Sequence, residues 1–405
     1  MTRLPSRVRL FGAALCLLLA LAPAPSAGAQ SPPDLSRAAA AILVDAGDGH
    51  VFLEKSPRER RSIASTTKLM TALLALERAR PREVFTAPRY DALPVESKID
   101  LSAGERMTVA DLLEALLLES ANDAAVTIAE GVSGSREAFV AEMNERAAAL
   151  GLEDTSYANP IGLDDPLNYS TAADLAALTR VLMRRPRFER IVDMPSAELE
   201  SGARPRVVAN RNGLVAAYPF VDGVKTGYTG LAGNVLIGAG SGRGARVISV
   251  VMGEPSEAAR DEDTLALLRY GLAQYTRRRA LDEDRVVARV DVAYHDEPAA
   301  LVPAEGLNVT VRRGQRVRRA VGAPEELDGP LEAGERVGSV TVFRGDTRVR
   351  RVPLVTAGRV PGAGLPRKVV SALGAPLIVL FVLAAGAAAA LRLRTVRRGQ
   401  GTARR

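Results

Sequence analysis

Residues 62–71 of this 405-residue chain have the sequence SIASTTKLMT, in which Ser65 precedes Lys68 by three positions. The leucines that follow have helical spacing and predict an amphipathic helix over residues 68–78. A separation of three places Ser65 and Lys68 on one helix face, a turn apart. The N–H groups and dipole at a helix N-terminus favour developing negative charge, and burial lowers the pKa of a lysine so that it can act as a base. The alternative interpretation of the pair alone is an N-capping serine beside a solvated lysine.

Lysine is the only side chain that could activate a serine in this chain. The single cysteine, Cys16, lies in a predicted signal peptide, and the two histidines are His50, in a predicted turn, and His295, in a β-rich region. A Ser-His-Asp triad therefore has no credible base, and neither a disulfide scaffold nor a Cys/His zinc site is expected. The chain has 49 arginines but only five lysines, so the neighbours of each lysine are informative.

Two further segments carry candidate reactive groups. Ser120-Ala121-Asn122 lies between two predicted helices, and Lys225-Thr226-Gly227 lies in a predicted strand over residues 221–228. Each has a structural alternative, which is a helix N-cap for the first and an edge-strand lysine for the second. Adjacent strand residues point to opposite faces, so Lys225 and Thr226 can share a cleft only through local twist or an edge position. Gly227 would let a ligand approach the backbone closely.

The three segments together form a recognisable set. S-x-x-K, S-x-N and K-T-G occur in that order in penicillin-binding proteins and class A β-lactamases. The sequences SIASTTKLMT (62–71), SANDAA (120–125) and DGVKTGYT (222–229) resemble those of low-molecular-mass penicillin-binding proteins, more specifically the serine-type D-alanyl-D-alanine carboxypeptidases of an S11-like peptidase family. The family usually has glycine where this chain has Ala121. The resemblance implies an α+β fold, in which a catalytic domain with an antiparallel sheet and helices is followed by a small all-β domain.

The resemblance also implies roles for the catalytic residues. Ser65 would attack the carbonyl of the penultimate D-Ala of a peptidoglycan stem peptide, and Lys68 would take its proton. Ser120 would relay a proton to the departing D-Ala, and Asn122 would position the peptide backbone. Lys225 would complete the proton and charge network.

Substrate binding is implied for a second group of residues. Thr226 would contact the terminal carboxylate beside Gly227, and the N–H groups of Ser65 and Tyr228 would form the oxyanion hole. Arg260 fits the family's carboxylate-binding arginine, with a surface role as its alternative. No metal or cofactor is implied, and β-lactams would act as inhibitors that acylate Ser65.

The two ends of the chain predict export and anchoring. Residues 1–29 combine three arginines, a short apolar run and an A-x-A site, as in a secretory signal peptide. Residues 369–391 are uncharged and long enough to span a membrane, with two basic residues before them and six after. The positive-inside rule then places the tail in the cytoplasm and the body of the protein outside. A buried Ala-rich helix and an amphipathic surface anchor, which is common in the family, are the alternatives.

The charge of the chain divides in the same way. The formal net charge is +7, but residues 30–366 carry −4 once the basic ends are set aside, so nucleic acid is not expected as a partner. The sequence makes no prediction of the oligomeric state.

The predicted organisation is a signal peptide (1–29), a transpeptidase-like catalytic domain (30–283), a β-rich domain (284–357), a linker (358–368), a transmembrane helix (369–391) and a basic cytoplasmic tail (392–405).

Local patterns predict the secondary structure of the exported part. A β-hairpin is predicted at 40–44 and 51–53, and Thr108 to Asp111 form a capping box. Further predicted helices are 109–118, 123–130, 136–150, 171–184 and 261–277. Further predicted strands are 234–239, 246–252, 285–292, 307–311, 338–343 and 348–355.

The predicted function is removal of the terminal D-Ala from peptidoglycan pentapeptides by a penicillin-binding enzyme that remodels the cell wall. A β-lactamase shares the motifs, but the loop at 160–168 offers only Asp164 and Asp165 and no glutamate. The sequence is also compatible with a peptidoglycan D,D-endopeptidase and with a catalytically idle wall-binding scaffold.

Overall fold

The computed structural model describes residues 31–362, residue 377 and residues 379–394. The predicted signal peptide, most of the linker, residues 369–376 and 378 of the predicted transmembrane helix and residues 395–405 of the predicted tail lie outside the described residues. Residues 379–394 are helical. No helix in the described part of the chain has both the length and the apolar character needed to cross a membrane.

Residues 31–362 form two regions of regular structure. The strands are β1 Ala40–Asp45, β2 Val51–Lys55, β3 Arg61–Ser62, β4 Val84–Thr86, β5 Arg106–Thr108, β6 Tyr169–Ser170, β7 Ser196–Leu199, β8 Arg206–Ala209, β9 Val221–Thr229, β10 Gly233–Gly242, β11 Ala245–Glu254, β12 Tyr275–Leu281, β13 Ala288–Val292, β14 His295–Pro303, β15 Leu307–Arg312, β16 Val317–Gly322, β17 Glu326–Leu327, β18 Arg336–Arg344 and β19 Thr347–Thr356. The helices are α1 Lys68–Arg78, α2 Val109–Glu114, α3 Asn122–Ser133, α4 Arg136–Ala149, α5 Ala172–Leu182, α6 Pro186–Val192, α7 Leu214–Ala217 and α8 Glu257–Ala273, with a 3₁₀ turn at Ala64–Thr67 and a π-helical turn at Ala115–Glu119.

The first region is built on an antiparallel sheet with strand order β2-β1-β11-β10-β9. Ile237 and Val250 on one face join the core formed by the α1, α3 and α5 side of the molecule. Leu236 and Val251 on the other face pack with α8. Both faces are therefore buried, and β9 is left as an edge strand that faces the start of α1.

Most of the predicted elements of this region are confirmed. The β1–β2 hairpin and α1 occur where predicted. Thr108 caps α2, because its Oγ1 accepts a hydrogen bond from the Asp111 N–H at 3.2 Å. The predicted helix at 109–118 changes character after Glu114, where the π-helical turn takes over.

The helix predicted at 261–277 is wrong at both ends. α8 starts at Glu257 because Ser256 caps it, with its Oγ accepting from the Ala259 N–H at 3.1 Å. The helix ends at Ala273, and Tyr275 instead opens β12, where it pairs with Arg312. Periodicity could not indicate this end, since the competing strand partner lies far along the chain.

The second region is an all-β domain. A six-stranded sheet has the order β16-β18-β19-β14-β13-β17, and β12 pairs with β15. Val290, Leu301, Val340 and Leu354 are among the residues of its core. β14 and β16 were not predicted, because their charged and proline-containing sequences form strands through pairing with neighbours rather than through local propensity. β12 joins this domain by pairing although it precedes residue 284.

A buried charge cluster connects the two regions. Asp45, at the end of β1, accepts hydrogen bonds from the Tyr275 hydroxyl and from Arg312 Nη1, the latter at 2.8 Å. Arg312 Nη1 also lies 2.7 Å from Asp48. The side chains of Asp45 and Arg312 are only 11% and 14% exposed, so this ion pair is shielded from solvent.

We expect Arg312→Ala to destabilise the protein by about 2 kcal/mol, because it leaves the Asp45 carboxylate shielded without its cation. The control is Arg350→Ala, which removes an ion pair with Glu305 that is about half exposed and should cost less than about 1 kcal/mol. Denaturant unfolding of both variants measures the difference. Equal losses of unfolding free energy would contradict this account of the junction.

Candidate active site

The predicted nucleophile lies in the 3₁₀ turn that leads into α1. Ser65 is half-buried there, and Ala64 before it has a φ of +47°, a conformation that non-glycine residues rarely adopt. Lys68 is the first residue of α1, and its Nζ lies 3.0 Å from Ser65 Oγ. The structure therefore brings the predicted pair into hydrogen-bond contact.

A loop from the neighbouring helical layer fixes the Lys68 amine. Lys68 Nζ donates to the Ile161 carbonyl at 2.6 Å, and Thr71 Oγ1 donates to the Pro160 carbonyl at 2.7 Å. Gly162 has a φ of +93°, and a Cβ there would lie 2.0 Å from the Ala64 carbonyl oxygen. Only glycine allows the loop to pack this closely against the turn that carries Ser65.

Ser120 enters the site from the end of the π-helical turn. It has a φ of +64°, and π-helical turns often occur at functional sites. Its side chain is buried, and within the described part of the chain its Oγ has no hydrogen-bond partner. Asn122, two residues later, is buried at the start of α3, and its Nδ2 donates to Glu96 Oε2 at 2.6 Å.

Lys225, Thr226 and Gly227 lie on β9. Lys225 is opposite Ile237 and Thr226 is opposite Leu236, so the two side chains point to opposite faces of the sheet, and β9 has the edge position that a shared cleft requires. A Cβ at Gly227 would lie 3.2 Å from the Ser65 nitrogen and 3.1 Å from Ala64 Cβ. The absence of a side chain thus lets the edge strand approach the nucleophile.

The two remaining predicted residues differ in exposure. Tyr228 is 66% exposed beside Gly227, whereas Arg260 is 4% exposed in the first turn of α8. Arg260 Nε donates to Asp261 at 2.9 Å. Its positive charge acts on Lys225, which places Arg260 in the electrostatic surroundings of the site.

Burial changes the acid–base behaviour of both lysines. Lys68 is 0% and Lys225 is 1% exposed. Burial, aided by the nearby Lys225, lowers the pKa of Lys68 well below its ordinary value, while Glu96 and Asp123 oppose the shift. Burial, with the positive charge of Arg211, lowers the pKa of Lys225 to about 7. Burial thus favours the neutral form of both amines, which is the form that a base for serine requires.

Two charged residues near the site have no counterpart in the sequence prediction. Glu96 contacts Asn122. Arg211 pairs with Glu119, and its backbone N–H donates to the Leu118 carbonyl at 3.1 Å. Neither lies in a motif, and Arg211 is one of 49 arginines, so no signal in the sequence alone distinguishes them.

The geometry assembles the parts of an acyl-transfer site. Ser65 contacts a lysine with a lowered pKa, and the edge strand next to Ser65 carries Lys225, whose pKa is also lowered. Ser120 Oγ is buried and has no partner among the described residues. A nucleophile activated by a neighbouring base is the arrangement of covalent catalysis.

Comparison with known proteins identifies two family matches. Residues 26–256 match the family model of the S11 peptidases, described as D-alanyl-D-alanine carboxypeptidase. Residues 275–361 match the model of the penicillin-binding protein 5 C-terminal domain. The second match begins where β12 begins.

Individual relatives agree with these matches. D-alanyl-D-alanine carboxypeptidase DacD of Salmonella typhimurium is 32% identical, covering 88% of this chain and 96% of the relative. DacF of Bacillus subtilis is 29% identical over 88% of this chain and 95% of its own length. Among solved structures, penicillin binding protein 5 of Haemophilus influenzae has a TM-score of 0.59 and 28% identity, covering 82% of this chain and 100% of that one. The chain therefore belongs to the S11 peptidases and is a serine-type D-alanyl-D-alanine carboxypeptidase.

Proposed function

We propose that this protein removes the terminal D-Ala from peptidoglycan pentapeptides through an acyl-enzyme on Ser65. The observation that carries the proposal is the 3.0 Å contact between Ser65 Oγ and the buried Nζ of Lys68. A neutral Lys68 can accept the hydroxyl proton, which makes the serine a nucleophile at neutral pH.

The reaction then proceeds in two halves. Ser65 Oγ bonds to the carbonyl carbon of the penultimate D-Ala as its proton moves to Lys68, and the C–N bond to the terminal D-Ala breaks. Ser120 passes a proton to the departing amine, and Lys225 completes the proton and charge network. Water attacks the resulting ester, transfers a proton to the same base network, and releases the shortened peptide together with free Ser65.

Binding groups surround the reacting carbonyl. The N–H groups of Ser65 and Tyr228 form the oxyanion hole, in which one donor contributes about 3 kcal/mol. The close approach of Gly227 to the Ser65 nitrogen supports this pairing. Thr226 and Arg260 bind the terminal carboxylate of the substrate, and Asn122 contacts the peptide backbone. β-Lactams mimic the same substrate and acylate Ser65.

The protein acts outside the cytoplasm and is anchored in the cytoplasmic membrane. The signal-like residues 1–29 and the uncharged residues 369–391 with a basic flank support this location. The catalytic residues then lie on the side where peptidoglycan is found. The basic tail lies in the cytoplasm.

We expect Ser65→Ala to abolish both labelling by fluorescent penicillin and release of D-Ala from a pentapeptide, because both need the Ser65 hydroxyl. Membranes that contain the wild type should show both activities. Persistent labelling of Ser65→Ala would exclude Ser65 as the nucleophile. Labelling of the wild type without D-Ala release would contradict the carboxypeptidase proposal.

We expect Lys68→Arg to lower the rate of acylation by at least about a hundredfold, because a guanidinium stays protonated and cannot accept the serine proton. In the wild type, acylation should fall as the pH drops below the pKa values of the lysine pair, of which Lys225 has one of about 7. Stopped-flow acylation by a chromogenic β-lactam measures both effects. Acylation by Lys68→Arg within tenfold of the wild type would exclude Lys68 as the base.

We expect a protein truncated after residue 362 to be released from the membrane fraction, while the full-length protein remains there after a high-salt wash. A hydrophobic span resists salt, whereas electrostatic attachment does not. Cell fractionation and immunoblotting measure the distribution. Membrane retention of the truncated protein would show that another part of the chain anchors it.

A further inference from the structure

Glu96 connects the loop between β4 and β5 to the S-x-N segment. Its Oε1 accepts the Leu93 N–H at 2.9 Å, and its Oε2 accepts hydrogen bonds from the Tyr90 hydroxyl and from Asn122 Nδ2. The backbone N–H of Asn122 donates to the Ser97 carbonyl at 2.8 Å. The loop thus holds Asn122 at both its main chain and its side chain.

The contact determines which end of the Asn122 amide remains available to a ligand. An ionised carboxylate only accepts hydrogen bonds, so the NH₂ end of the amide must point to Glu96. The Oδ1 end then points away as an acceptor, and no group among the described residues donates to it. An acceptor at this position matches the N–H of a bound peptide.

We propose that Glu96 is a positioning residue for acyl transfer, which orients the Asn122 amide with its oxygen toward the substrate. This inference rests on the proposed function, since it assigns Asn122 a contact with the peptide. No motif of the sequence includes Glu96.

The negative charge of Glu96 has a second effect, which is on the protonation of Lys68. Besides burial, the charge of Lys225 lowers the pKa of Lys68, and the charges of Glu96 and Asp123 raise it. Besides burial, a hydrogen bond from Tyr90 and the positive charge of Lys68 act on the pKa of Glu96. The Arg136 guanidinium lies 5.6 Å from the centre of the Tyr90 ring. The charge of Glu96 also acts on Lys98 in the same loop.

Glu96 is ionised at neutral pH. Burial raises the pKa of Glu96, but hydrogen bonds from Tyr90 and Asn122 outweigh it and hold the pKa below its ordinary value. The negative charge then favours the protonated form of Lys68, so removing it should lower the pKa of Lys68 further. The other carboxylate, Asp123, accepts from the Ile99 and Leu101 N–H groups rather than from the Asn122 side chain.

Two substitutions separate orientation from charge. Glu96→Gln removes the charge but keeps an oxygen that accepts from Asn122, whereas Glu96→Ala removes both. At the plateau pH we expect Glu96→Gln to retain kcat/KM for D-Ala release within about twofold, and Glu96→Ala to lose about tenfold. In both variants the acidic limb of the pH profile should move to lower pH, because both lack the charge.

The control is Asp91→Asn, a charge-removing change in the same loop. This side chain is 78% exposed, and its one ion-pair partner among the described residues is the exposed Arg89. It should leave both the plateau and the limb unchanged. The limb is also measured as the rate of acylation by a β-lactam, which does not depend on D-Ala release. If the wild type is acylated but releases no D-Ala, the proposed function fails while the effect of Glu96 on the limb is still measured.

Three results would overturn the inference. An acidic limb that stays in place in both Glu96 variants would show that its charge does not act on Lys68. A loss in Glu96→Gln as large as in Glu96→Ala would show that amide orientation is not its role. A shift in Asp91→Asn equal to that in Glu96→Gln would show that the effect is a general one of loop charge.

Discussion

The site depends on the burial of two lysine amines, Lys68 and Lys225, where the edge of the sheet meets the start of α1. Removing an ammonium from water strongly disfavours its charged form. The same desolvation that would destabilise a structural lysine lowers the pKa of both amines here. The surrounding packing must therefore be close enough to exclude water and open enough to admit a peptide.

Backbone conformation provides this close packing. Gly227 lets β9 approach the turn that carries Ser65, and Gly162 lets the 159–168 loop contact the same turn. Ala64 and Ser120 both adopt positive φ values although neither is glycine. Such conformations cost about 1–3 kcal/mol each and persist where the surrounding structure holds them, as the central sheet and the helical layer do here.

Local patterns in the sequence predict candidate residues of the site but not their electrostatic environment. Short motifs with fixed spacing predicted Ser65, Lys68, Ser120 and Lys225 as site residues, and the structure brings Ser65 and Lys68 into contact. Glu96 and Arg211 act through contacts with residues far along the chain, which no local pattern contains. The same limit applies to the fold: the Thr108 cap was predicted from adjacent residues, whereas the end of α8 depends on the pairing of Tyr275 with Arg312.

The scarcity of lysine makes the central claim directly measurable. Only five lysines occur in the chain, so carbon-13 labelling of lysine gives few NMR signals, and Lys68→Arg and Lys225→Arg assign two of them. Lys98, whose ion pair with Asp100 raises its pKa, serves as the internal reference. We expect Lys225 to titrate at about 7 and Lys68 well below the ordinary lysine pKa. Titration of both amines at or above the ordinary value near 10.4 would contradict the account of how the serine is activated.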